Sequence, residues 1–595
     1  DNVFKIGGLP VGYWPFLAGE VSQVPLERVS IGMRNESDNN LEPDIRTRWN
    51  LFALAGHDAP DGVGLTGDLD YRGDHGLAVG TNLDYDLPGM YGAFQGYLLP
   101  YDTGKDDIGD REKVDFDGQI RGFGQWQHRQ YLEHNLELSL ELAYVSGETF
   151  LERFFRHEAV TAKTYETSIY LKQQEQERAV TFLTRYNLND FLAQTTAYQA
   201  PGYFIDKVPE LGYYRVGTSL FENRLTYYTE NRLTRMRIRG GDDSPSDRGL
   251  TTPNSLLLLG IPATTTFQNA LDAAGVPSDW RLRFDSRHEI QMPVRLGTID
   301  MVPYVAGRFT GYDEDFEDFA GEDSNYRLWG TVGSRFHTQF HKNYDQIESR
   351  LLDLHRLRHI IEPHVDVFAM GSTIDPDHLP IYDQIVEGIQ DGAGTRIGMR
   401  NILQTQRGSP DRRHNADWIV TNTDLVLRSS EVDVDTEFAR YFGYRPEYSV
   451  GGNHVYQDLR WLLSDTFALV GDVTYNIEDY LMPYWRIGTT LQQTPRLTWF
   501  ANYTEVHALS SQLVNYGFRY KLTRTYRMNF RHGISFNESQ TRDLTVSLER
   551  KLPQLSVLII ARHDDIDDEQ SVGVSLIPKG LQVGPVDPTT GALIP

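Results

Sequence analysis

Val514-Asn515-Tyr516-Gly517-Phe518-Arg519-Tyr520-Lys521-Leu522 alternates residue by residue. Val514, Tyr516, Phe518, Tyr520 and Leu522 fall on one phase, and Asn515, Gly517, Arg519 and Lys521 on the other. After Thr523-Arg524-Thr525 the pattern restarts. Tyr526, Met528, Phe530, Ile534 and Phe536 alternate with Arg527, Asn529, Arg531, Ser535 and Asn537. A third run sets Leu544, Val546 and Leu548 against Thr545, Ser547 and Glu549. A period of two predicts β-strands with one apolar and one polar face. Such strands separated by minimal polar turns predict antiparallel hairpins.

Most of the chain follows the same grammar. Strands are expected at Val29–Arg34, Asp44–Leu54, Val63–Arg72, Leu77–Asp86 and Tyr91–Leu99, most of them bounded by Gly, Pro, Asn or Asp. The alternation of Leu136, Leu138, Leu140, Leu142 and Tyr144 with Glu137, Ser139, Glu141 and Ala143 is the cleanest of all. The 595 residues are only 39% hydrophobic but rich in Tyr (33) and Phe (28), and no run is long enough for a membrane helix. A soluble propeller would repeat at a fixed period, and none is found. Long strands with alternately short and long connections fit an outer-membrane barrel. The expected fold is therefore all-β: a large closed antiparallel transmembrane barrel of roughly 26 strands.

Composition narrows the function. A net charge of −26 lacks the basic footprint of a nucleic-acid-binding protein. With no cysteine, disulfides, thiolate metal sites and a Cys nucleophile are excluded. No Gly-x-Ser-x-Gly or P-loop occurs. His355, His359 and His364 lie near Asp353 and Glu362, but Pro363 and Val365-Asp366-Val367-Phe368 favour a strand, which separates the histidines too far for a metal pair. His532 stands on an apolar phase with no serine two residues on, because position 534 is Ile. No enzymatic activity, cofactor or metal is expected. The acidic runs Asp313–Asp323 and Asp564–Glu569 read as solvated external loops. Residues 240–280 read as a long loop with a short helix at Thr266–Ala274.

Several motifs resemble one family in order and spacing. Tyr144-Val145-Ser146-Gly147-Glu148-Thr149-Phe150-Leu151, Val208-Pro209-Glu210-Leu211, Ile361-Glu362-Pro363-His364-Val365 and Glu549-Arg550-Lys551-Leu552 are similar to elements of the outer-membrane LPS-assembly proteins called LptD. Gly147-Glu148 departs from the family's Asp there. Leu379-Pro380-Ile381-Tyr382-Asp383, followed by Arg396-Ile397-Gly398-Met399-Arg400-Asn401, resembles the family's loop that folds over the lumen. Phe4 to Phe16 resembles its junction between a periplasmic jelly roll and the barrel. The resemblance implies three segments. Residues 1–25 would be the end of the jelly-roll region and junction, 26–578 the barrel, and 579–595 a tail. It also implies insertion of lipopolysaccharide into the outer leaflet in a Gram-negative-type bacterium. The implied partners are an LptE-like lipoprotein plug and a periplasmic bridge that delivers through an upstream jelly-roll domain.

An amphiphile needs two media at once. A lateral opening between first and last strands lets glycan use the lumen while acyl chains enter lipid. The expected gate residues are Pro15, Pro25, Val29, Ile31 and Met33 on one side. Val572, Gly573, Val574, Ser575, Leu576 and Pro578 stand on the other. The prolines remove ladder donors and should keep the seam short. Val29–Met33 is expected to pair with Val572–Leu576. The competing reading is a porin or a gated substrate transporter.

Overall fold

In the computed structural model the described residues are 2–6, 9–14, 25–35, 41–106, 113–159, 165–191, 202–320, 325–375, 378–429, 439–537, 539–553, 555–565 and 569–578. Strands dominate, and 26 of them close one antiparallel barrel. The first thirteen are β1 (Leu26–Asn35), β2 (Leu41–Asn50), β3 (Val63–Arg72), β4 (Leu77–Leu87), β5 (Met90–Asp102), β6 (Gln119–Leu132), β7 (Leu136–Val145), β8 (Thr167–Glu175), β9 (Arg178–Tyr186), β10 (Tyr203–Leu220), β11 (Leu225–Gly240), β12 (Arg281–Gln291) and β13 (Ile299–Tyr312). The others are β14 (Tyr326–Thr338), β15 (Leu354–Ser372), β16 (Gly392–Arg407), β17 (His414–Arg428), β18 (His454–Ser464), β19 (Phe467–Asn476), β20 (Leu481–Thr494), β21 (Leu497–Val506), β22 (Ser511–Tyr520), β23 (Tyr526–Ser535), β24 (Gln540–Lys551), β25 (Leu555–Asp564) and β26 (Glu569–Pro578).

Two wall strands are interrupted by proline. β12 breaks at Met292-Pro293 and resumes at Val294–Leu296. β14 resumes at Phe340–Ser349, and its register against β15 runs on from His337↔His364 to Phe340↔Ile361. Pro363 lies opposite the gap, where it supplies no N–H.

Side-chain alternation gives the wall two chemistries. On β22 and β23, Phe518 pairs with Phe530 and Tyr516 with His532, while Asn515 pairs with Gly533 and Arg519 with Asn529. Phe518 and Phe530 stack at 5.5 Å on the outer face, and the Tyr516 hydroxyl lies 3.0 Å from His532 Nδ1. On β12, Leu282, Phe284 and Ile290 are exposed, while Arg283, Asp285, Arg287 and Glu289 are buried. An apolar exterior, a charged interior and a closed hydrogen-bond ladder together describe a transmembrane outer-membrane-type barrel.

The two ends differ. Connections 103–118, 146–166, 187–202, 241–280, 313–325, 373–391 and 429–453 all leave one end. The other end has tight turns such as 88–89, 176–177, 297–298, 465–466 and 495–496. By the usual rule the tight end is periplasmic and the long end external. Asn2–Ile6 and Leu9–Trp14 form a separate two-stranded sheet that is not part of the wall.

Some local expectations need correction. The strand expected over Asp44–Leu54 stops at Asn50, whose side-chain Oδ1 accepts from Ala53 N at 3.0 Å and caps a helical turn, Leu51–Leu54. Asparagine is a strong N-cap, so it ends the strand where it starts the turn. Within 240–280, the helix Phe267–Ala273 follows its Thr266 cap, and a second helix, Thr252–Leu259, was not foreseen. Residues 313–316 and the turn Glu317–Ala320 lie beyond the end of β13. The run Asp564–Glu569, by contrast, is not simply an exposed loop. Asp564 ends β25 and Glu569 begins β26, the two facing each other, and Asp564 is 3% exposed. An arginine partner from another loop, described below, overrides for Asp564 the expectation that clustered acids are solvated.

Candidate functional site

β1 and β26 meet across the whole length of the chain. Val29 faces Leu576, Ile31 faces Val574 and Met33 faces Val572, with Ser30↔Ser575 and Gly32↔Gly573 between them. The outward set is aliphatic, and Ile31, Met33 and Val572 are each about half exposed. The inward set is small. Ser30 Oγ and Ser575 Oγ share a buried 2.6 Å hydrogen bond. A Cβ on Gly32 would meet nothing closer than 3.7 Å. Space therefore does not demand this glycine. Its effect is to leave the inner face of the seam without interlocking side chains.

The seam ladder holds seven residue pairs, against nine between β1 and β2 and ten between β25 and β26. It is not the shortest in the wall, because β7 and β8 share six. Pro25 immediately precedes β1, and its carbonyl accepts from Asn50 N at 2.6 Å. Pro578 ends β26 and pairs with Leu555 on β25, away from the seam. It completes the β25 ladder, where its missing N–H falls at the strand's last position. Pro15 lies outside the described residues.

The lumen is not open behind this wall. The strap 378–391 between β15 and β16 lies against the inner face of β10 to β14. Lys207 Nζ donates to both Asp383 carboxylate oxygens at 2.7 and 2.8 Å, and Arg283 Nη2 donates to Asp383 at 2.5 Å. Arg283 Nη1 and the Tyr312 hydroxyl donate to Glu387 at 2.7 and 2.9 Å. Arg308 reaches the Ile385 carbonyl at 2.7 Å, Arg327 the Val386 and Glu387 carbonyls, and Trp329 the Gln390 carbonyl. Leu379, Tyr382, Val386 and Ile389 are buried beneath these contacts. Burial alone raises the Asp383 carboxyl, but Arg283 and Lys207 outweigh it and hold the group well below the usual carboxylate range.

A second luminal segment, 439–453, packs beside the strap. Arg287 donates to Glu447 at 2.7 Å, Arg445 pairs with Glu230, and Gln390 N donates to the Glu447 carbonyl at 3.0 Å. A cavity of about 490 Å³ remains between this segment and the wall, lined among others by Asn422, Asp424, Tyr441, Tyr456, Asp458 and Tyr484. A larger recess of about 1020 Å³ lies along β4 to β8, bordered by Asp84, Tyr91, Gln127, Arg129, Ser139 and Glu141. Aromatic faces with carboxylates and amides suit hydroxyl-rich, water-borne groups far better than acyl chains.

The histidines singled out in the sequence are wall residues. All three lie on β15, where His364 Nε2 is 2.8 Å from Asp424, His359 Nε2 is 3.2 Å from Asn401 and His355 neighbours Asp353 at 3.3 Å. Among the described residues no group of His, Asp and Glu is placed to hold a metal ion. Sequence reading did not identify Lys207, Arg283, Arg308 and Arg327 as strap anchors. The available signal was Arg283-x-Asp285-x-Arg287-x-Glu289, a fully charged phase opposite Leu282, Phe284 and Ile290. Four consecutive charges on one strand face mark a polar interior crowded enough to need partners.

No family model matches the chain, and no curated protein matches it. Among solved structures it is similar to the siderophore receptor PirA from Pseudomonas aeruginosa, at 8% identity over 93% of this chain and 79% of that one, with a TM-score of 0.32. It is also similar to the FrpB iron transporter from Neisseria meningitidis, at 8% identity over 92% and 81%, with a TM-score of 0.32. A mutant Rh. blastica porin matches at 10% identity over 51% of this chain and 92% of that one, with a TM-score of 0.21.

Proposed function

We propose that this barrel is a lipopolysaccharide translocon of the outer membrane that releases its substrate sideways between β1 and β26. The observation that carries the reading is the seam itself. Every other wall contact joins strands that follow each other in sequence, whereas β1 and β26, among the described residues, are held by their ladder and a few side chains. Parting them tears no hairpin. Opening still has to part the seven residue pairs of the ladder, at a cost that rises where the freed groups face hydrocarbon rather than water. The lumen supports the same reading, since its inner wall is charged and the strap 378–391 is folded inside it against β10 to β14. The partners that go with this function are an LptE-like lipoprotein in the lumen and a periplasmic jelly roll that receives lipopolysaccharide from a bridge.

The test is a seam disulfide. Ser30 and Ser575 point at each other, so Ser30→Cys with Ser575→Cys places two sulfurs within bonding reach. No cysteine in the sequence competes. Oxidation should crosslink the pair, leave the heat-modifiable migration of the folded barrel unchanged and stop delivery of lipopolysaccharide to the cell surface. Reduction should restore delivery. Normal delivery from the locked barrel would reject the lateral exit, and steady ion conductance alongside it would favour a porin or gated transporter.

A further inference from the structure

Asp564 and Glu569, the two acids that flank the β25–β26 turn, are shielded because one loop reaches them from the far side of the seam. The connection 146–166 leaves β7, and its turn Phe150–Phe154 is fixed on the inner wall of β5 to β7. Phe150, Leu151 and Phe154 join a buried cluster with Tyr97, Leu99, Phe123 and Val145. Arg72 stacks on Phe154 at 5.2 Å, and Arg121 donates to Asp102 and Asp106 at 2.7 and 2.6 Å. Thr149 donates to Asp106 as well. Arg153 then ties the turn to the β2 edge, donating to Glu42 at 2.7 Å and to His75 at 3.0 Å. All of these partners lie on the first-strand side of the seam.

Three residues on, Arg156 crosses it. Its Nη2 lies 2.9 Å from Asp564 at the end of β25, and its Nη1 3.9 Å from Glu569 at the start of β26. Glu569 also meets Arg34 of β1, at 3.6 Å. Asp564 and Arg156 are 408 residues apart in sequence, and the bond joins opposite sides of the seam at its external end. We infer that Arg156 is a latch: with Arg34, it holds β25 and β26 to a body anchored on β2 to β7, and its release sets how often the seam opens. This rests on the seam being the exit. It adds a contact from outside the two strands to the ladder, the Ser30–Ser575 bond and the Arg34–Glu569 pair.

The latch is testable without any substrate. Ser575 is fully buried, so a single Ser575→Cys should react with a water-soluble maleimide only when the seam parts. Purified protein in phospholipid vesicles is labelled over time, with folding checked by heat-modifiable migration. Arg156→Ala should raise the labelling rate at least about fivefold, as expected for losing a partly shielded ion pair worth about 1 kcal/mol. The exchange Arg156→Asp with Asp564→Arg should return it toward the starting rate, since the pair is restored with opposite sign. Ser547→Cys, buried on β24 away from the seam, should keep its rate throughout. An unchanged rate at position 575 overturns the latch. So does an equal rise at position 547, which would mean the whole wall had loosened. Either result leaves the seam disulfide to judge the lateral exit separately. Loss of delivery in the locked barrel together with an unchanged Arg156→Ala rate would keep the exit and discard the latch.

Discussion

Asp383 shows how much one luminal carboxylate settles. It sits between Lys207 and Arg283, two cations drawn from β10 and β12, and it fixes the strap to the wall. Replacing it with Asn leaves both cations facing a neutral amide. Glu387 and Glu210 remain beside them, so the cost should fall at the low end for a broken buried pair, about 3 kcal/mol. Strap amides in Asp383→Asn should then exchange hydrogen roughly a hundredfold faster, and the cell should become leaky to large antibiotics. The sign of the pH effect follows from the lowered carboxyl. Such a group contributes stability that is fully present above its unfolded value, about 3.9, and is lost as pH falls through the lower folded value. Protease resistance of the strap should therefore be the same at pH 8 and pH 5, and weaken only below about pH 4. A loss of protection between pH 8 and pH 6 would contradict the assignment of Asp383 as the anchor.

Single strands were the most legible scale. Alternation alone placed Val514, Tyr516, Phe518 and Tyr520 on one face and Asn515 and Arg519 on the other, because a period of two leaves no freedom once one face is buried in lipid. A spin label at Phe518 should report lipid, and one at Arg519 water. Tyr516→Arg, in the middle of β22 on the same outer face, should cost about 2–4 kcal/mol, read as a shift in urea unfolding from vesicles. Contacts between distant elements were not legible. Arg283 meets Glu387 and Arg287 meets Glu447 across 104 and 160 residues. Nothing local to either partner distinguishes a docked charge from a solvated one. The same blindness misread Asp564 and Glu569, since an acidic run looks solvated until its arginine, far upstream, is known. The strand interruption at Pro293 was readable in principle, as proline within an alternating run.

At the scale of the whole barrel, the proposed lateral exit raises the question of what would choose the opening. Ladder length and chain topology make different predictions here. If length decided, β7 and β8, with six pairs, would part before β1 and β26, with seven. If topology decides, β7 and β8 stay together, because the 146–166 connection joins them and its turn is packed into the wall beside Tyr97 and Phe123. No connection joins β1 to β26, and among the described residues the ladder, Ser30–Ser575 and the external ion pairs hold them. The topological account predicts that crosslinking β7 to β8 is harmless. Ser139 and Tyr170 face each other on the inner surface in mid-ladder, so Ser139→Cys with Tyr170→Cys provides the lock. Oxidised, this barrel should deliver lipopolysaccharide at the rate of the parent protein, while the Ser30–Ser575 lock stops delivery. If both locks stop it, the wall must flex as a whole and the exit is not confined to one seam. If only the β7–β8 lock stops it, the shortest ladder is the gate, and the pairing of first with last strand merely closes the cylinder.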